Sequence, residues 1–186
     1  MATASKLWTV EEVWELPDDG NRREVIDGEL LVTPSPTWRH GDAAMALYDR
    51  IKPYVSGHNV GHVKVAPQDV VYGERTLVVP DLFVVPLVDR RKPRAWTEAG
   101  SILLAVEVLS PSTARWDRQV KRRLYQRHGV PEYWVVDVDA RLVERWRPGD
   151  TRPEILSDSI SWQPDPTHPA LIIDLSSYFV EVTGEG

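Results

Sequence analysis

The sequence predicts an α/β (α+β) fold that begins with a helix and a β-hairpin, and three observations carry that reading. The segment 101–137, SILLAVEVLSPSTARWDRQVKRRLYQRHGVPEYWVVD, holds two apolar runs separated by a basic stretch of helical length. Ser112 or Thr113 caps that stretch and Gly129 stops it, giving strand, helix, strand. Asp27-Gly28 stands between two further strand-like runs, a strong short signal for a two-residue hairpin. With 186 residues, 42% hydrophobic and 27% charged, the chain reads as one soluble domain, 1–186, with a full hydrophobic core.

Taken in order, Thr9-Val10-Glu11-Glu12 fits a capping box, the Thr9 side chain accepting from the Glu12 amide while Glu12 reaches back. A short helix to about Leu16 follows, with Val13 and Trp14 facing the core, and Pro17-Asp18-Asp19-Gly20 ends it. The hairpin strands are 23–26 and 29–33. Glu24, on the first of them, reads alone as a solvated strand residue. After a loop at 34–36, Ser35 or Thr37 caps a helix to about Tyr54, whose Ala44, Leu47, Tyr48 and Ile51 form one apolar stripe. Trp38 and His40 sit in its first turn, where a histidine is more often a surface or capping group than a ligand.

Residues 60–71 form one strand, or two broken at Pro67, and Gly73-Glu74 turns the chain. Pro80-Asp81 interrupts the run 78–85. Proline lacks the amide hydrogen and belongs at a strand's start or edge, so 82–85 is a strand with Asp81 at its entrance. Residues 89–94 make a charged loop centred on RRKPR. The run 102–109 reads as a central strand buried on both faces. In the helix that follows, Trp116, Val120 and Leu124 are the apolar seam; Asp117, Lys121 and Tyr125, spaced by four, line an adjoining stripe. The run 133–136 ends in Asp137, and 141–146 returns as a hairpin partner. Pro148-Gly149-Asp150 turns the chain, 154–160 and 171–175 are weaker strands, and 176–179 packs the terminus onto the core.

Composition excludes several function classes. A net charge of −6 rules out an overall basic nucleic-acid coat, so any polyanion contact comes from a local patch or a metal-neutralised site. Arg90, Arg91, Lys92 and Arg94 are such a patch, on the loop that joins the strands of Asp81 and Glu107. With no cysteine there is no disulfide frame, thiolate zinc site or cysteine nucleophile. No apolar run is long enough to span a bilayer and no signal-peptide pattern opens the chain. A cytoplasmic location without a membrane partner is expected. Eight tryptophans leave room for an apolar interface, from which a homodimer is expected.

Glu107 interrupts the most apolar run of the chain, where an ionised carboxylate is costly unless paired or bound to metal. A salt bridge to a nearby arginine is the plain explanation. If the strands of Asp81 and Glu107 are antiparallel neighbours, Asp81 at the start of one meets Glu107 near the end of the next. Two converging carboxylates repel unless a cation joins them, and they suit a hard divalent ion such as magnesium. An amine beside them can stabilise a phosphate transition state.

The residues REVIDGEL (23–30), SPTWRH (35–40), VPDLFVV (79–85), AVEVLSPST (105–113), Asp117, Lys121, Tyr125 and GVPEYWVVD (129–137) resemble, in this order, the Uma-two family, a former domain of unknown function. That family's fold is similar to the PD-(D/E)XK restriction endonucleases. The resemblance implies a restriction-endonuclease-like core: a mixed central β-sheet flanked by helices. It implies Asp81 and Glu107 as metal ligands, with the Val108 carbonyl a third, and Mg2+ or Mn2+ as cofactor. The superfamily's usual lysine, two residues after the acid, is Leu109 here; Lys121 resembles the relocated lysine, entering from the next helix. Glu24, His40, Asp117 and Tyr125 match family positions as auxiliary residues, Glu24 nearer the metal than His40. The implied activity is metal-dependent phosphodiester hydrolysis with DNA as substrate. An alternative is a catalytically inactive nucleic-acid or protein interaction module, and a plainer one is a structural domain whose buried acids are satisfied by arginines.

Overall fold

A computed structural model describes residues 6–185. The chain opens with α1 (Val10–Trp14), β1 (Arg22–Ile26), β2 (Glu29–Thr33) and α2 (Trp38–Gly57). It continues with β3 (His62–Val65), β4 (Val70–Gly73), β5 (Thr76–Val78), β6 (Leu82–Val85), α3 (Trp96–Ala99) and β7 (Leu104–Val108). A π-helical turn (Trp116–Lys121) then leads into α4 (Arg122–Arg127), β8 (Tyr133–Asp137) and β9 (Leu142–Trp146). The last elements are β10 (Glu154–Leu156), β11 (Ser159–Trp162), β12 (Leu171–Asp174) and α5 (Leu175–Thr183).

The central sheet has six strands in the order β10-β9-β8-β7-β6-β3. It is mixed. β6 runs antiparallel to β7, with Leu82 opposite Val106, and β7 runs parallel to β8 across the π turn and α4. The segment 101–137 is thus the predicted strand, helix, strand. A second sheet, β2-β1-β5-β4, lies alongside, and β11 pairs with β12.

Every residue of β7 is buried, as a two-faced central strand requires. On one face Leu104, Val106 and Val108 pack with Leu47 and Ile51 of α2 and Phe179 of α5. On the other, Ala105 joins Phe83, Tyr133 and Val135 against Leu124 and Tyr125 of α4. Strand alternation puts Glu107 on this second face, under the π turn.

Local signals act as expected at several joints. Thr9 and Glu12 form both arms of the capping box, and Asp27 and Gly28 take positive φ at the hairpin tip, as a type I′ turn needs. Thr37, rather than Ser35, caps α2 by accepting from the His40 amide.

Other expectations are corrected. Trp14 is exposed and donates from its indole to Asp69, while Val13 alone faces the core. Glu24 is buried, because β1 is a central strand of the second sheet. The run 60–71 is two strands in different sheets. Residues 154–160 likewise split, β10 extending the central sheet and β11 pairing with β12. The helix after Glu107 starts as a π turn, and its most buried face carries Asp117, Lys121 and Tyr125 rather than Trp116 and Val120.

Candidate active site

Five separate pieces of the chain converge where β6 begins and β7 ends. Asp81 precedes β6, and its Oδ2 accepts from the Val108 amide at 2.9 Å. This is the meeting that antiparallel pairing predicts. Its Oδ1 lies 2.7 Å from Arg22 Nη1 and 3.1 Å from His40 Nε2. Glu24, two residues after Arg22 and on the same face of β1, accepts the Val79 amide at 2.7 Å.

Glu107 is 1% exposed and Lys121 1% exposed. Lys121 Nζ stands 3.0 Å from Glu107 Oε1, 2.9 Å from Glu24 Oε1 and 3.5 Å from Asp117 Oδ1. The Tyr125 hydroxyl donates to Glu107 Oε1 at 3.0 Å. Tyr133 fixes the π turn by donating to the Asp117 carbonyl. The plain explanation of Glu107 therefore holds in kind but not in partner: its cation is Lys121, not an arginine. The Asp117–Lys121 pair is buried rather than a helix-surface pair.

All these groups reach one cleft of about 460 Å³, together with Leu109, Ser110, Thr113 and Arg118. Leu109 on its wall confirms that the position two after Glu107 carries no charge.

The electrostatics are lopsided. Four buried carboxylates, Glu24, Asp81, Glu107 and Asp117, face two permanent cations, Arg22 and Lys121. Burial raises the Glu107 carboxyl well above its ordinary range; Lys121 opposes this, while Asp81, Asp117 and Glu24 add to it. Asp117 is raised by burial and by the same crowd of acids, against the pull of Lys121 and Thr113. Burial also works to raise Asp81, but His40, Arg22 and Lys121 outweigh it and hold that carboxyl well below the usual range. For Lys121, burial favours the neutral amine, yet the surrounding carboxylates prevail and keep the ammonium form far up in pH.

A site with surplus negative charge and hard oxygen donors fits a divalent cation in kind. Asp81, Glu107 and the Val108 carbonyl are the groups that can hold it. The buried His40 Nε2, close to Asp81 but off any hydrogen-bonding line, adds an imidazole on the same side. Among the described residues, however, no three His, Asp or Glu side chains converge as a ready metal cage.

Sequence reasoning missed Arg22. The signal was its spacing of two from Glu24, which puts both on one strand face. Arg118 was missed as well; it lines the cleft and pairs with Glu144 at 2.6 Å and Asp137 at 3.0 Å. The basic loop lies elsewhere. Arg90, Arg91, Lys92 and Arg94 fall in the connection from the end of β6 to the start of β7, which is the end of the strand pair away from Asp81 and Glu107.

A family model described as "Putative restriction endonuclease", Uma2 (Uma-two), matches residues 10–176. No curated protein matches the chain. Among solved structures, the chain is similar to a crystal structure described as a "putative nuclease belonging to DUF820" from Anabaena variabilis. The two align with a TM-score of 0.72 at 19% identity, over 94% of this chain and 99% of that one. At that identity the likeness establishes the fold. Among the described residues no helix is long and apolar enough to cross a membrane.

Proposed function

Given that the chain belongs to the Uma2 family, we propose that it is a metal-dependent nuclease that hydrolyses DNA phosphodiesters in the cleft above Glu107. The observation that carries this reading is the surplus of buried carboxylate around one buried lysine. Four acids against two cations at a cleft floor do nothing for the stability of an empty fold, and they suit a site completed by a cation and a phosphate.

Asp81, Glu107 and the Val108 carbonyl hold Mg2+ or Mn2+ in this proposal. When bound, the cation stabilises charge on the phosphate and lowers the pKa of a coordinated water. Lys121 supplies a fixed ammonium beside Glu107, able to orient that water or neutralise developing charge. It takes the place of the lysine that Leu109 replaces. Glu24 and Asp117 hold Lys121 in position, Tyr125 orients Glu107, and Arg22 and His40 orient Asp81. A cytoplasmic location and a homodimer are part of the same proposal. The tryptophans lend the homodimer little support, since Trp134, Trp146 and Trp162 lie in the core.

The second reading, a non-catalytic interaction module, is favoured by one observation: no third side-chain ligand converges on Asp81 and Glu107. Calorimetric titration with Mg2+ and Mn2+ separates the two. The nuclease reading expects binding to the wild type that disappears in Asp81→Ala/Glu107→Ala, and cleavage of DNA that Lys121→Ala abolishes. Wild-type protein that neither binds either cation, with or without oligonucleotide, nor cleaves DNA would falsify it.

A further inference from the structure

Resting on the nuclease reading, we propose that Trp38 is a base-stacking platform at the cleft mouth and that the substrate is therefore unpaired nucleic acid. Trp38 is 92% exposed, the most exposed of the large apolar side chains among the described residues. Its place is not arbitrary. Thr37, Arg39 and His40, on either side of it in sequence, all line the cleft, and His40 Nε2 is 3.1 Å from Asp81. In the first turn of α2 two residues span only about 3 Å of helix axis, so the indole stands beside the site.

The other exposed tryptophan, Trp14, donates its indole hydrogen to Asp69 at 2.9 Å; among the described residues Trp38 has no such bond. An indole left uncovered on a rigid, capped helix turn offers a π-face to a ligand.

Charge selects the ligand. Arg22, Arg39 and Arg118 line the cleft, which favours an anion. The chain carries −6 overall, and its basic loop sits at the far end of β6 and β7, so phosphate neutralisation along a long duplex is weak here. Stacking does not depend on net charge, and every base has a π-face. In a duplex those faces are already stacked. Only an unpaired or splayed base can present one to Trp38. A cleft of about 460 Å³ is also the size of a small-ligand site rather than a duplex channel.

The test is fluorescence anisotropy with short labelled oligothymidylate and a labelled blunt duplex, in Ca2+, on wild type, Trp38→Ala and Trp38→Phe, over a salt series. The expected result is single-strand preference in the wild type, about tenfold weaker single-strand binding in Trp38→Ala, recovery in Trp38→Phe, and an unchanged salt slope. Equal single-strand affinity of Trp38→Ala and wild type overturns the stacking role while leaving the nuclease reading intact. No oligonucleotide binding by the wild type overturns both. A shift from dimer to monomer in Trp38→Ala on sedimentation, with affinity unchanged, assigns the indole to self-association and also overturns it.

Discussion

Replacing Lys121 by methionine keeps the side chain's length and removes its charge. The ammonium has three carboxylate oxygens within reach, at 2.9, 3.0 and 3.5 Å, all of them buried. Breaking a buried pair by removing one partner costs about 3–5 kcal/mol, because the charge left behind is uncompensated. That is a large part of the roughly 5–15 kcal/mol that holds a typical domain together. At about 2–4 °C per kcal/mol for a chain of this size, the melting temperature falls by roughly 6–20 °C. The loss depends on pH. Glu107 and Asp117 already resist ionisation, so at pH 5 they take up protons and relieve the missing charge; at pH 8 they cannot do so as cheaply. Lys121 itself adds no slope in this window. Its contribution is fully present below the ordinary lysine range and fades only above its raised folded value. Urea unfolding at pH 5 and pH 8 measures the difference, and the wild type must be compared at each pH. A loss below about 1 kcal/mol at pH 8, the worth of an exposed ion pair, refutes the reasoning, since the ammonium cannot then be the counter-charge of the site. In a double-mutant cycle, Glu107→Gln with Lys121→Met should show a coupling of about 0.5–3 kcal/mol.

Glu107→Gln alone should be neutral or stabilising in the metal-free protein. A carboxyl raised in the folded state makes the native protein bind more protons than the unfolded chain, so stability falls as pH rises above the ordinary carboxylate range, by up to about 1.4 kcal/mol per pH unit per group. Glutamine removes that slope for one group, and thermal melts from pH 4.5 to 8 should show a flatter profile; a melting temperature that drops at pH 8 contradicts the expectation. Mg2+ should raise the melting temperature of the wild type and leave that of Asp81→Ala/Glu107→Ala unchanged. Gly61→Ala probes the sheet edge away from the site: a Cβ there would lie 2.5 Å from the Val85 carbonyl oxygen, so an overpacking cost of about 1–3 kcal/mol is expected in urea unfolding, with oligonucleotide binding unaltered.

What the sequence disclosed follows from how local each signal is. Asp81 and Glu107 were legible because they sit on consecutive strands, and consecutive strands pair. Glu24 was not, because its burial comes from β1 lying between β2 and β5, and the β1–β5 pairing joins Val25 to Leu77 across the chain. Strand alternation placed Arg22 and Glu24 on one face but carried no information about what covers it. The π turn was hidden for a related reason: spacing by four reads as an ordinary helical stripe, and only tertiary packing against Tyr133 and Glu107 makes that stripe the buried one.

The position of the basic loop, in contrast, was determined by direction alone. If Asp81 opens β6 and Glu107 nearly closes β7, the connection between the two strands must lie at their other ends, and the RRKPR loop cannot reach the acids through a strand pair of this length. The same directional argument explains how Lys121 can replace a lysine at position 109. Side chain 109 leaves the end of β7 on the Glu107 face, and the crossover to β8 must pass back over that face to make a parallel pair. Any lysine on the inward side of that crossover's first turns enters the carboxylate cluster from above. A right-handed strand–helix–strand unit thus offers two chain positions for one ammonium, and the charge balance at Glu107 is met from the second of them, with leucine left at the first.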